Sequence, residues 1–224
     1  MYELIEHLKK KQWLWQGSSE LQSKGVYPTG FKLLDERLEG GFPHHGVVEL
    51  HSSSGIGELR LLCPHLKSNH KGRLSVFIQP PGNLSAQHLI TQGIDLNHIL
   101  LLYPKTCKEA LWAAEQCLKS GACSNVLLWH SQPEVHHVRR LQVASETGNS
   151  LSFLFKESST LFSLPVSLSM TLIPHAHGLE ITITKRKGSW SHSSFLIDMR
   201  TYWPSLAEKE HHNVVLPFRR RKQG

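Results

Sequence analysis

Residues Tyr27–Leu62 read YPTGFKLLDERLEGGFPHHGVVELHSSSGIGELRLL. Within this stretch the apolar segment Val47-Val48-Glu49-Leu50 has the character of a short buried strand. A loop of small residues follows, Ser52-Ser53-Ser54-Gly55-Ile56-Gly57, and then a helical apolar run at Leu59, Leu61 and Leu62. Strand, small-residue loop and helix, in that order, form the setting of a phosphate-binding loop. A working loop has the form G-x-x-x-x-G-K-[ST]. Laid on that form, Ser52 stands at the first glycine, Gly57 at the second, Glu58 at the lysine and Leu59 at the hydroxyl residue. The lysine would neutralise the β/γ-phosphates and the hydroxyl would hold Mg²⁺. A carboxylate cannot do the first and a leucine cannot do the second. Glu58 does suit a helix N-terminus, where negative charge meets the macrodipole favourably. The reading is a helix cap standing where a phosphate would otherwise sit, with the fold kept and the reaction lost. No catalytic residue, bound cofactor or metal is therefore expected.

Outward from this stretch, strands and helices alternate. Arg73–Gln79 reads as a buried strand ending at Pro80-Pro81, Ser85–Gln92 as a helix and Ile99–Tyr103 as a strand. Thr106–Ser120 has the clearest amphipathic pattern, with Ala110, Leu111, Ala114, Cys117 and Leu118 on one face. Val126–Trp129 is the next strand, Glu134–Thr147 a helix and Leu151–Lys156 another strand. Thr29–Leu38 reads as a helix with Thr29 as its N-cap and Gly40-Gly41 as its stop. Pro64 is expected to interrupt or kink the helix after the loop. The alternation predicts a mostly parallel sheet covered on both faces by helices. After Ser158 the pattern changes. Val166–Ile173 and Leu179–Lys185 read as antiparallel strands, with a third at Phe195–Met199. The chain divides into an N-terminal helix and arm (1–26), a core (27–204) and a basic tail (205–224).

Composition agrees with a folded core. Of 224 residues, 39% are apolar and 19% charged, which is a globular balance. No apolar run reaches the roughly 18 residues of a membrane-spanning helix. MYELIEHLKKKQ lacks the basic-then-apolar order of a secretory signal, so the expected location is the cytoplasm. The net charge of +7 fits an acidic partner such as DNA without identifying one. The cysteines Cys63, Cys107, Cys117 and Cys123 form no C-x-x-C pair and read as reduced, mostly buried thiols. The histidine clusters His44-His45, His136-His137, His175-Ala176-His177 and His211-His212 lack partners at zinc-site spacing, and read as solvated or packed.

Several blocks resemble known proteins. Thr29-Gly30, Leu34-Asp35, Gly40-Gly41, Pro43, Gly46 and the strand before the loop resemble the core of RecA-type recombinases. Gly55-Ile56-Gly57-Glu58-Leu59-Arg60, Leu111-Trp112-Ala113-Ala114-Glu115-Gln116, Ser120-Gly121-Ala122-Cys123 and Arg139-Arg140-Leu141-Gln142 are similar to a RecA-related group, the ImuA family. The resemblance runs through residues 11–200 in the same order along the chain. It implies a RecA-like P-loop NTPase core with a C-terminal antiparallel β-hairpin segment. Against that family His130 falls where the Walker B aspartate would stand. Gln79, Pro80 and Pro81 fall where the water-activating glutamate would follow its strand. Missing lysine, missing metal acid and missing base agree on a pseudo-ATPase. The implied role is that of a non-catalytic adaptor in the bacterial DNA-damage (SOS) response. It would support translesion synthesis with an ImuB-type inactive Y-family polymerase and an error-prone replicative-type polymerase, nucleoid-associated when engaged. RecA and a second copy of the chain are further expected partners. SulA proteins share the shorter core around Ser120–Phe155. They give the alternative, a cell-division inhibitor acting on the tubulin-like division protein.

Three surfaces are left to carry function. Lys185, Arg186 and Lys187, with Arg219, Arg220, Arg221 and Lys222, are candidates for weak, salt-sensitive DNA contact; otherwise they are solubilising runs. Trp13 and Trp15 on the arm need a surface to bury against, either the chain's own core or a partner. Trp112 is an interface candidate on the helix 106–120, where a lone tryptophan is otherwise core.

Overall fold

The computed structural model describes residues 25–68, 72–157, 164–186 and 193–204. The N-terminal helix and arm, including Trp13 and Trp15, lie outside the described residues. So do Lys187 and the tail with Arg219, Arg220, Arg221 and Lys222. The described chain opens with β1 (Val26–Tyr27), α1 (Lys32–Arg37) and β2 (Phe42–Pro43), where β1 and β2 pair antiparallel. Then follow β3 (Gly46–His51), α2 (Glu58–Ser68), β4 (Leu74–Ile78), α3 (Ala86–Thr91) and β5 (Ile99–Leu102). The second half holds α4 (Cys107–Lys119), β6 (Cys123–Trp129), α5 (Val135–Gly148), β7 (Leu151–Lys156), β8 (Leu168–His175), β9 (Gly178–Arg186) and β10 (Ser194–Asp198).

The main sheet has eight strands in the order β10-β9-β8-β3-β7-β6-β4-β5. From β8 across to β5 every pairing is parallel, and β8-β9-β10 is an antiparallel flank. This is the α/β architecture expected from the alternation, with the antiparallel segment at the C-terminal end. Neighbouring residues on a strand point to opposite faces, and here both faces are covered. Val48, Leu50, Phe77, Leu127 and Phe153 pack with Leu34, Leu61, Leu62, Leu66 and Leu89 of α1, α2 and α3. Val47, Val76, Ile78, Val126, Leu128 and Leu154 pack with Ala110, Ala114, Leu118, Val138, Leu141 and Ala144 of α4 and α5. Burial on both sides is why the central strands are near-continuous apolar runs.

Two local expectations are corrected. The helix at the start of the core is Lys32–Arg37, not Thr29–Leu38, and Thr29 is not its N-cap. Thr29 instead braces the turn ahead of it. Its Oγ1 accepts the Phe31 N–H at 3.1 Å, and its own N–H donates to Asp35 Oδ1 at 2.7 Å. Gly30 between them has φ +91°, which no helix allows, and a Cβ there would fall 2.3 Å from the Cβ of Pro64. That close approach seats the turn on α2. Pro64 in turn does not end α2, which continues to Ser68. The second correction concerns the thiols. Cys63 and Cys123 are buried, but Cys117 is half-buried and Cys107 exposed at the first turn of α4.

Candidate functional site

The loop between β3 and α2 leaves the C-terminal end of a central strand, which is where open α/β sheets place their ligands. It is tied to the next strand at both ends of its serine run. The Ser52 N–H donates to the Lys156 carbonyl at 2.9 Å, and Ser54 Oγ donates to Glu157 Oε1 at 3.0 Å. Gly55 and Gly57 have φ values of +82° and +102°. A Cβ at Gly55 would touch nothing within 4 Å, so the glycine is required there by backbone conformation and not by space. These dihedrals turn the Gly55 and Gly57 amides inward, and both meet the same side chain. The Gly55 N–H donates to Glu58 Oε1 at 3.3 Å and the Gly57 N–H to Glu58 Oε2 at 3.1 Å. Glu58 is only 5% exposed. Its carboxylate thus occupies the amides that a phosphate would take in a working loop, at the helix N-terminus where a negative charge is stabilised.

At the other motif positions, Leu59 packs against the core and offers no oxygen. His130 follows β6, its N–H donating to the Phe155 carbonyl at 3.1 Å, and its Nδ1 accepts the Gln132 N–H at 3.2 Å. Burial, with the positive charges of His137 and Lys156 nearby, pushes the His130 imidazole below its ordinary range. Gln79, just past β4, has φ +53°, and its Nε2 donates to the Pro104 carbonyl at 3.0 Å. Among the described residues no group of three or more His, Cys, Asp or Glu side chains is arranged to hold a metal ion.

Beneath the loop lies a buried charged cluster that periodicity does not reveal. Lys156 Nζ is 3.2 Å from Glu49 Oε1, and its side chain is fully enclosed. Glu49 Oε2 is 3.1 Å from His51 Nε2 and accepts from Ser169 Oγ at 2.9 Å. Thr184 Oγ1 lies 2.9 Å from Ser169 Oγ and extends the chain of contacts to β9. Burial alone would raise the Glu49 carboxyl. The hydrogen bond and charge of His51, with Lys156 and Ser169, outweigh it and hold the group below the usual carboxylate range. The available signal was an acid and a lysine in two strands that are otherwise mostly apolar.

The surface candidates separate. Trp112 is 61% exposed, so it is not a core residue. Lys185 and Arg186 on β9 are half-buried and engaged within the fold. Lys185 Nζ donates to the Leu164 carbonyl at 2.6 Å, and Arg186 forms an ion pair with Glu39. Glu39 is held below its usual range by that arginine. Both cations are thus less available to a phosphate backbone than free side chains would be. No described helix is long and apolar enough to cross a membrane.

No family model matches the chain. Among curated proteins, RecA of Clavibacter michiganensis subsp. michiganensis is 27% identical over 136 residues, covering 60% of this chain and 37% of that protein. The cell division inhibitor SulA of Photorhabdus laumondii subsp. laumondii is 34% identical over 98 residues, covering 43% of this chain and 55% of that protein. The chain therefore spans 37% and 55% of the lengths of these two relatives. Among solved structures, SulA from Pseudomonas aeruginosa is 27% identical, covers 50% of this chain and 98% of its own, and has a TM-score of 0.44. These sequence matches make the chain a relative of RecA and SulA at low identity.

Proposed function

We propose that this chain is a RecA-related adaptor that neither binds ATP tightly nor hydrolyses it. It acts in the DNA-damage response to which its ImuA-like sequence blocks point. The observation that carries this reading is the Glu58 carboxylate on the Gly55 and Gly57 amides. A triphosphate would have to displace the buried Glu58 carboxylate and would then find Glu58 and Leu59 where the motif has its lysine and its metal-binding hydroxyl. Leu59, His130 and Gln79, at the other motif positions, are not the hydroxyl, acid and glutamate that phosphoryl transfer uses there. What such a protein offers is surface. Its partners are an ImuB-type inactive Y-family polymerase, with RecA, a second copy and weakly bound DNA as further contacts.

Titration calorimetry with Mg-ATP and phosphate-release assays, with and without single-stranded DNA, test the first half. No binding and no release are expected. DNA-stimulated release that disappears in Gly57→Arg would overturn the reading.

A second reading, a cell-division inhibitor, is favoured by one observation: the SulA match has a higher identity than the RecA match, though over fewer residues. The same tagged protein separates the two. Capture of a Y-family polymerase homologue and not of the tubulin-like division protein supports the adaptor. The reverse result replaces it.

A further inference from the structure

Strand β5 stands at one end of the eight-stranded sheet and, among the described residues, pairs with β4 alone. The Gln79 N–H donates to the Leu102 carbonyl at 3.0 Å, so the backbone groups of Leu102 turn toward β4. Backbone groups alternate along a strand. Those of Leu100 turn the same way, and those of Leu101 and Tyr103 turn outward. Ile99 presents only its carbonyl there, because its N–H donates to the Leu96 carbonyl in the 3-10 turn Leu96–His98.

Side chains alternate too. Ile99 packs with the core on the face of α1, α2 and α3, and Leu102 with the core on the face of α4 and α5. Leu101 and Leu100 therefore lie on opposite faces, yet they are 39% and 38% exposed. Apolar surface thus reaches the edge on both faces of the sheet. A helix laid on one face would cover only one of them. A further strand covers both and satisfies the outward backbone groups.

Edge strands are commonly blunted by a lysine, a proline or a bulge. Ile99–Tyr103 holds none of these, and its register with β4 runs without a shift. The charges at its two ends say which strand fits. Asp95 stands exposed ahead of the strand, and Lys105 and Lys108 stand exposed after it. Glu109, at the basic end, is engaged by the Lys105 and Thr106 N–H groups. A strand with an acidic start, an uncharged middle and a basic end is complementary to itself when reversed.

We propose that β5 is a self-association edge, on which a second copy of this chain adds its own β5 antiparallel across a two-fold axis. Centred on Leu101, the pairing sets that residue opposite Leu101 of the second copy, each N–H donating to the other's carbonyl. The Tyr103 N–H donates to the Ile99 carbonyl of the second copy, and Leu100 packs beside its Leu102. Asp95 of each copy is brought toward Lys105 and Lys108 of the other. An isologous contact of this kind closes after two copies. It gives a place to the second copy among the adaptor's contacts without resting on nucleotide loss, and its failure leaves the ATP and capture assays of that reading untouched.

Sedimentation of the full chain over a concentration series is expected to show monomer and dimer in equilibrium. Leu101→Glu sets two like charges together on the axis and should weaken dimerisation by roughly a hundredfold or more. Leu101→Lys should do the same, and mixing the two variants should restore the dimer. Residue-resolved amide hydrogen exchange reads the wild-type chain directly, so a variant that fails to fold does not blunt the test. The Leu100 and Leu102 amides should be protected at every concentration, and those of Leu101 and Tyr103 only as the dimer forms. A chain that stays monomeric, a dimer whose outward amides remain fast, outward amides protected in the monomer, or a dimer indifferent to Leu101→Glu overturns the proposal.

Discussion

Glu49 and Lys156 carry the largest electrostatic stakes among the described side chains. A buried ion pair is weak evidence for net stability, but removing one member strands the other. Lys156→Met is therefore expected to cost about 3–5 kcal/mol in urea unfolding, and combining it with Glu49→Leu should recover most of that loss. A double variant as unstable as the single one would show that packing, and not stranded charge, sets the cost. His65 makes a separate prediction. It is fully buried on α2, its Nε2 lies 3.0 Å from Asn125 Oδ1, and its ring meets Phe42 and Phe153 edge-on. Burial pushes its pKa down to about 4, against opposing contributions from Asn125, Pro28 and Asp35. The unfolded chain takes up this proton near 6.5, so it binds more protons than the fold between the two values. Stability should fall as pH drops from about 6.5 toward about 4 and then level off for this group, by on the order of 3 kcal/mol in all. Glu49, held low, adds its own loss as pH falls through its folded value. His65→Gln should flatten the upper part of this slope; an unchanged slope would assign the pH dependence elsewhere. Neither residue announces this role in the sequence. Glu49 and Lys156 look like tolerated polar residues until β3 and β7 are known to be neighbours.

At the level of elements, α4 shows what a sequence can define well. Thr106 and Glu109 form a reciprocal capping box at its start, and Ala110, Ala114 and Leu118 turn to the sheet. Trp112 lies off that stripe, which is why it is exposed while its neighbours are not. Trp112→Ala should change unfolding free energy by no more than about 0.5 kcal/mol, as at other surface sites. If Trp112 anchors a partner, the same change should weaken capture of that partner by roughly 2 kcal/mol. A melting temperature that falls while capture persists would return the residue to a structural role. The limits of β7 were equally legible, because polar Ser150 and Glu157 bracket an apolar run. Those of α1 were not. Thr29 has the chemistry of a cap, but whether Gly30 continues a helix or breaks ahead of it is decided by Pro64, remote in sequence. The phosphate-loop remnant was legible because its motif is local.

For the whole molecule, the sheet ends in two different ways. On one side it ends in the antiparallel β8-β9-β10 flank, with β10 as the edge strand. On the other, β5 is an aliphatic edge strand with Leu100 and Leu101 partly exposed, and Tyr103 follows it on the surface. A free apolar edge is a template for strand addition unless something covers it. The net charge of +7 is spread over core and ends, and Lys185 and Arg186 already spend their charge inside the fold. DNA contact, if the chain makes it, should therefore depend on the basic run at residues 219–222. Deleting residues 217–224 is expected to weaken binding and reduce the steepness of its salt dependence, with thermal stability unchanged. An unchanged salt slope would leave those residues as a solubilising end.

Glu58 has one more consequence. A nucleotide-driven protein keeps time by its bound ligand: filled it holds, emptied it lets go. A loop that grows its own carboxylate from the adjoining helix is filled from the moment the chain folds. A carboxylate bonded to the chain has no off-rate. On the adaptor reading nucleotide exchange does not time such a molecule, and the rates of its synthesis and its proteolysis can serve as the clock instead.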